Sequence, residues 1–323
     1  MVRLMTEVQR RVVGEISQNS NLNGFDSRIG VGIDSNNSLT EIGNNPKKDN
    51  NAIAGNGKIV SFVGTSKNGT SFIINNLARL MADQNINVAI VDLTKNKNSY
   101  YMYTDNEEAL IKKAEVSLKN LSNGDPTGLE VGNCLTLYTA IPEEVEDTLD
   151  KDKIFNTLSK NYDIALLDCD FRTDVDFFNK SDEVYIVQSM DALTIQPLTK
   201  FLSELKTKDL LDENKMRVIV NKHVRLKSLT TKMIIAGMSR YNAPSMSLQR
   251  DIFNKDNMKY IEIPFEEEVY IKYIEEIASC KITLNGYTQS FVESLEKLKN
   301  MVYPLVATKK SKSKKKKNQS KAQ

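Results

Sequence analysis

The sequence predicts an α/β fold built on a doubly wound, mainly parallel sheet. Between Lys58 and Met301, short apolar runs alternate with stretches of helical period, the signature of helices crossing over between parallel strands. The runs are continuously apolar rather than alternating, as strands covered on both faces must be. Several end on a small or polar residue: Gly64, Asp92, Asp168 and Asn221. In such a sheet these positions fall at the carboxyl ends of strands, where ligands bind.

Residues 1–57 read as a leader. In VRLMTEVQRRVVGEI, Val2, Met5, Val8, Val12 and Ile16 recur at helical spacing with Arg3, Arg10 and Arg11 on other faces. This pattern suits a short amphipathic helix that docks on a partner or a lipid surface, or a segment helical only on contact. The Asn-, Ser- and Gly-rich stretch after it has little to bury and reads as a disordered linker.

The predicted domain spans 58–305. Lys58–Val63 is the first strand, Gly64 ends it, a polar loop runs to Gly69, and Thr70-Ser71 open a helix to about Met81. Phosphate-binding loops of the form G-x-x-x-x-G-K-[ST] cradle phosphates with their amides, reach the terminal phosphates with a lysine and hold Mg²⁺ with a hydroxyl. Gly64, Gly69 and Ser71 keep that spacing, but the lysine column holds Thr70. Two glycines in a polar loop also fit an ordinary βα turn.

Further strands are predicted at Asn87–Asp92, Leu129–Val131, Cys134–Ala140, Tyr162–Asp168, Glu183–Gln188, Met216–Asn221 and Met258–Ile263, the last closed by Pro264. Helices are predicted at Glu107–Leu121, Lys151–Ser159, Thr194–Lys206, Glu267–Ile277 and Ser290–Met301. Residues 95–104 read as a polar, tyrosine-rich segment whose Tyr100, Tyr101 and Tyr103 fit partner contact or plain packing.

Of 323 residues, 40% are hydrophobic, enough for a large core. No apolar run approaches the ~20 residues of a membrane span. Cys134, Cys169 and Cys280, widely spaced, suit buried thiols in a reducing, cytoplasmic compartment. A single histidine, His223, leaves triad and metal-ligand chemistries little material. The net charge of +2 hides an asymmetry, because residues 309–321 hold eight lysines and no acid. Without them 36 basic residues face 42 acidic ones, so the body is acidic and the 306–323 tail basic and disordered. Such a tail fits a solvated segment, nonspecific phosphate-backbone contact with nucleic acid, or contact with anionic lipid.

Taken together, KIVSFVGTSKNGTSFIINNLA, VAIVDLT, YDIALLDCDF, SDEVYIVQSMDALTIQ, VIVNK and EIPFEEEVYIKYIE resemble, in order, segments of the MinD/ParA class of P-loop ATPases. Within that class the CpaE/TadZ-like pilus-localisation branch is the most similar in type, and the match covers about residues 58–280. The resemblance implies ATP and Mg²⁺ as cofactors. It implies phosphate held by the loop with Gly64, Lys67, Asn68, Gly69, Thr70 and Ser71, and Mg²⁺ at Ser71 and Asp168. Asp92 would orient the attacking water and Asn221 would meet adenine. Two departures stand out: the family's signature lysine is replaced by Thr65 and the loop lysine by Thr70. Lys67 sits at another column, from which it would bring charge along a different direction. Losing one preorganised donor costs ~3–4 kcal/mol of transition-state stabilisation, so slow or absent hydrolysis is expected.

Each carboxylate also has a plainer reading, Asp92 as a turn cap and Asp163, Asp170, Asp174 and Asp176 as solvent or cap residues. The functional expectation is an ATP-binding spatial or assembly regulator. It would form a homodimer, work with a protein partner of a membrane or pilus/secretion assembly, and stay cytoplasmic or peripheral at the membrane. A DNA-partition ATPase of the ParA type and a nucleotide-free P-loop scaffold are the alternatives.

Overall fold

The computed structural model describes residues 57–105, 107–142, 148–242 and 249–304. The leader with its amphipathic segment and the lysine tail lie outside the described residues. In chain order the elements open with β1 (Lys58–Gly64), α1 (Thr70–Asp83), β2 (Val88–Asp92), α2 (Asn98–Tyr103), α3 (Glu108–Asn123), β3 (Leu129–Gly132) and β4 (Leu135–Tyr138). The middle of the chain forms α4 (Lys151–Asn161), β5 (Ile164–Cys169), α5 (Val175–Lys180), β6 (Glu183–Ser189), a 3₁₀ turn (Ala192–Thr194) and α6 (Ile195–Thr207). The remainder forms β7 (Met216–His223), α7 (Thr231–Met238), β8 (Arg240–Asn242), β9 (Gln249–Asp251), β10 (Tyr260–Pro264), α8 (Glu267–Ala278) and α9 (Gln289–Val302).

Eight strands form one sheet in the order β10, β7, β6, β1, β5, β2, β4, β3, and β8 and β9 form a separate hairpin. All neighbours in the large sheet are parallel except β3 with β4. The predicted doubly wound, mainly parallel sheet is therefore the observed one. The core lies in two layers because strand side chains alternate. Val60 and Phe62 join Tyr185, Val187 and Ile219 on one face, where the Phe62 and Tyr185 rings stack 5.1 Å apart. Ile59 and Val63 join Leu167, Ile186 and Val220 on the other.

Three short helices and the β8–β9 hairpin were not read from the sequence. Helices α2 and α5 have 6 residues each, too short to show a period; α5 exists because the Asp174 carboxylate caps it at the Asp176 amide. This is the cap role expected of Asp174. The last predicted strand starts two residues later than expected, at Tyr260, and includes Pro264. Since β10 is an edge strand, the missing proline N–H interrupts no ladder. Of the thiols expected to be buried, Cys169 is buried while Cys134 and Cys280 are partly exposed. Among the described residues no helix is long and apolar enough to cross a membrane.

Candidate functional site

Strand order puts the carboxyl ends of β1, β5, β2, β6 and β7 side by side, and the 64–71 loop sits among them. The two glycines are there for space. A Cβ on Gly64 would fall 2.5 Å from the Val187 carbonyl oxygen. Gly69 adopts φ 87°, and a Cβ there would fall 2.4 Å from Asn221 Nδ2. Gly69 also opens α1 without a side-chain cap, so the first-turn amides of that helix face the loop, the arrangement that receives anions.

Asn68 anchors the loop. Its side chain is 2% exposed; Nδ2 donates to Thr194 Oγ1 at 3.3 Å and Gln188 Oε1 at 3.4 Å, while Oδ1 accepts from Ser189 Oγ at 2.9 Å. Asn68→Ala removes these contacts and leaves the buried Gln188 Oε1 unpaired. It is expected to lower stability by about 2 kcal/mol, read as a lower urea midpoint at unchanged m.

Below the loop, Ser71 Oγ donates to Asp168 Oδ2 at 2.7 Å, and Asp168 Oδ1 is buried without a hydrogen-bond partner. Asp168 lies opposite Asp92 in the β5–β2 register. Burial first, and then the Asp92 charge, hold its carboxyl well above the usual range, against the hydrogen bond from Ser71 and the charge of Lys97. An orphaned buried carboxylate oxygen beside a hydroxyl fits a divalent cation. Mg²⁺ is typically bound by one or two protein oxygens together with substrate phosphates, and among the described residues no group of three or more His, Cys, Asp or Glu could hold a metal without them. The residues present therefore fit a Mg²⁺–phosphate group, with Ser71 and Asp168 as the protein oxygens.

The other expected site residues have different tasks. Asp92 is fully buried: Oδ1 accepts from the Thr94 amide at 3.0 Å and hydroxyl at 2.6 Å, and Oδ2 from the Ser99 amide at 3.0 Å. Its carboxylate thus holds the turn into α2, the cap reading of this residue. Asn221, 1% exposed, donates Nδ2 to the Asn68 carbonyl at 2.8 Å and so braces the loop. Thr65 donates to the Thr194 carbonyl at 3.0 Å, Thr70 packs beside Gly64, and Lys67 is exposed at φ 71°. Asp170 accepts from the amides of Lys95 and Arg172, a local structural role. Of the tyrosines, Tyr103 is buried and donates to Asn75 Oδ1 at 2.7 Å, whereas Tyr101 is 36% exposed.

Sequence reasoning missed the braces Gln188, Ser189 and Thr194, and also Lys97. The Lys97 ammonium is buried and donates to the Asp92 carbonyl at 3.0 Å, a position nothing in the run KNKN distinguishes from a solvated lysine. It missed Lys222 as well, whose Nζ donates to the Lys67 carbonyl at 2.9 Å.

A mainly parallel sheet with a glycine loop between its central strand and first helix, and a half-buried hydroxyl donating to a buried carboxylate below, is the arrangement of a P-loop fold without the loop lysine. Solved structures place it more narrowly. The chain superposes on a ParA family ATPase from Chlorobium tepidum with TM-score 0.58 and 16% identity, covering 76% of this chain and 98% of that one. It superposes on a putative plasmid partition protein from Borrelia burgdorferi bound to AMPPNP with TM-score 0.53 and 15% identity, covering 75% and 98%. It superposes on a chain of the MinC:MinD cell division protein complex of Aquifex aeolicus with TM-score 0.52 and 17% identity, covering 75% and 95%. The fold is that of the ParA and MinD ATPases. No family model and no curated protein matches the sequence.

Proposed function

We propose that the chain is a MinD/ParA-like regulator of spatial organisation or assembly that binds ATP with Mg²⁺ at the 64–71 loop. The observation that carries this is the Ser71–Asp168 pair, with Asp168 Oδ1 left unpartnered in a buried site directly below the loop. Bound Mg²⁺ would neutralise phosphate charge there; Ser71 and Asp168 would hold it, and the amides from Lys67 to Ser71 would hold phosphate. The putative Borrelia partition protein of the same fold is bound to AMPPNP, which supports a nucleotide as the ligand.

In this reading hydrolysis is slow or absent. Thr65 and Thr70 stand where lysines would supply charge, and both Asp92 oxygens accept hydrogen bonds from the turn into α2. What the protein then contributes is a nucleotide-dependent shape. We take it to pair with a second copy and to recruit a protein partner of a membrane or pilus/secretion assembly, with the lysine tail as a weak contact to anionic lipid or nucleic acid.

Titration of the full chain with a fluorescent ATP analogue and Mg²⁺ tests the central step. Ser71→Ala is expected to weaken Mg²⁺-dependent binding about tenfold or more, equivalent to ~1.4 kcal/mol. No detectable binding at millimolar analogue would overturn the nucleotide reading and leave the scaffold alternative.

A further inference from the structure

Asn221 and Lys222 are consecutive residues at the carboxyl end of β7, yet both grip the loop. Asn221 Nδ2 takes the Asn68 carbonyl at 2.8 Å and Lys222 Nζ takes the Lys67 carbonyl at 2.9 Å. In a regular strand successive side chains leave opposite faces, so one of the two should point away.

Two features remove that alternation. Lys222 adopts φ 52°, a left-handed backbone that costs free energy in any residue with a Cβ. The β7–β10 register also slips here: Val220 pairs with Glu262 and His223 with Pro264, so Asn221 and Lys222 together face Ile263 alone. One extra residue on β7 is a β-bulge, a device that re-aims a side chain and is over-represented beside active sites. Strain of this kind persists where the surroundings over-determine it, and it clusters at ligand clamps.

The lysine stem crosses the loop at Gly69: Lys222 Cε lies 3.8 Å from where a Cβ of Gly69 would be. Gly69 is the residue from which α1 and its first amides start. The other lysines nearby are placed otherwise. Lys97 is buried against the Asp92 carbonyl on the carboxylate side, and Lys67 extends outward from an exposed turn.

We propose that Lys222 supplies the phosphate-facing charge that the loop lacks at Thr70. The inference rests on the nucleotide reading above and names the residue that carries its cation. An ammonium has three N–H donors, so the bond to the Lys67 carbonyl leaves donors for a phosphate oxygen at the start of α1. The ligand class is the polyphosphate of a nucleoside di- or triphosphate, or free polyphosphate.

The test is the same titration on the full chain, with ATP and inorganic tripolyphosphate as competitors. Lys222→Ala is expected to weaken the fluorescent analogue about tenfold or more, with Lys222→Arg within about threefold of the unaltered chain. Thr70→Lys added to Lys222→Ala should restore binding, because it returns a cation to the loop column. Competition by tripolyphosphate in the unaltered chain and its loss in Lys222→Ala would place the contact on phosphate; competition by ATP alone would place recognition on the nucleoside and overturn the assignment. Unchanged binding in Lys222→Ala, or a larger loss in Lys67→Ala, overturns the Lys222 assignment while the nucleotide reading stands. Absence of binding in the unaltered chain overturns both. Thermal midpoints of the variants, taken in parallel, separate lost binding from lost folding.

Discussion

Gly69→Ala is expected to destabilise the protein by about 2–5 kcal/mol and to abolish nucleotide binding at the loop. Two costs add. At φ 87° an alanine pays ~1–2 kcal/mol for left-handed backbone. Its Cβ would also fall 2.4 Å from Asn221 Nδ2, so the amide must leave the Asn68 carbonyl, and a buried hydrogen bond broken with its partner left unpaired costs ~1–3 kcal/mol. Urea unfolding of Gly69→Ala, Asn221→Ala and the double variant separates the two. If the clash acts through Asn221, the double variant loses less than the sum of the singles, by a coupling of about 1 kcal/mol or more. Strict additivity would sink the steric account and leave only the backbone cost.

Asp168→Asn should move stability and ligand binding in opposite directions. Burial and the neighbouring Asp92 charge keep the Asp168 carboxyl well above its ordinary range in the folded chain. Between the unfolded and folded values the folded state therefore binds more protons than the unfolded state, and unfolding free energy falls as pH rises through that window. The stability contributed by the protonated group is present at low pH and lost toward neutral pH. An asparagine carries no charge to desolvate, so the variant should be more stable than the unaltered chain at pH 7, by ~1–3 kcal/mol. The gap should close toward about pH 4, where the unfolded carboxyl also takes up its proton. Mg²⁺ should no longer tighten nucleotide binding in the variant. Thermal midpoints of both proteins across this pH range decide the matter, and a gap that stays constant with pH would sink the charge account.

What was legible in the sequence follows from how each feature is encoded. Strands β1, β2, β5, β6 and β7 are buried on both faces, so their apolar runs are unbroken and visible without alignment. The loop glycines show because no other residue fits there. Ser71 and Asp168 were paired through the family resemblance, and they meet at 2.7 Å. The braces were not legible, because Asn68, Gln188, Ser189 and Asn221 are polar residues whose partners are set by which strand ends become neighbours. Asp92 shows the same limit from the other side: one carboxylate at a strand end suits water positioning and turn capping alike, and its contacts with Thr94 and Ser99 come into view only in the structure. Lys222 depended on a one-residue slip between β7 and β10, which leaves no trace in periodicity.

The strand order also dictates when the site comes into being as the chain is made. β1 is made before both of its sheet neighbours, β5, where Lys58 pairs with Ile164, and β6, where Val60 pairs with Glu183. The loop's braces arrive later still, the last of them at Asn221 and Lys222. Until β5 and β6 follow, the nascent chain carries a strand that is apolar on both faces and has neither of its sheet neighbours, the kind of surface chaperones shield. Closure of such long sequence separations is slow, so the loop is among the last parts to acquire its shape. A truncated product lacking β7 would keep the glycines, the serine, Asp168 and the braces at Gln188, Ser189 and Thr194 but lack the grip of Asn221 and Lys222 on the Asn68 and Lys67 carbonyls, so weakened ligand binding at the loop would report the loss of β7.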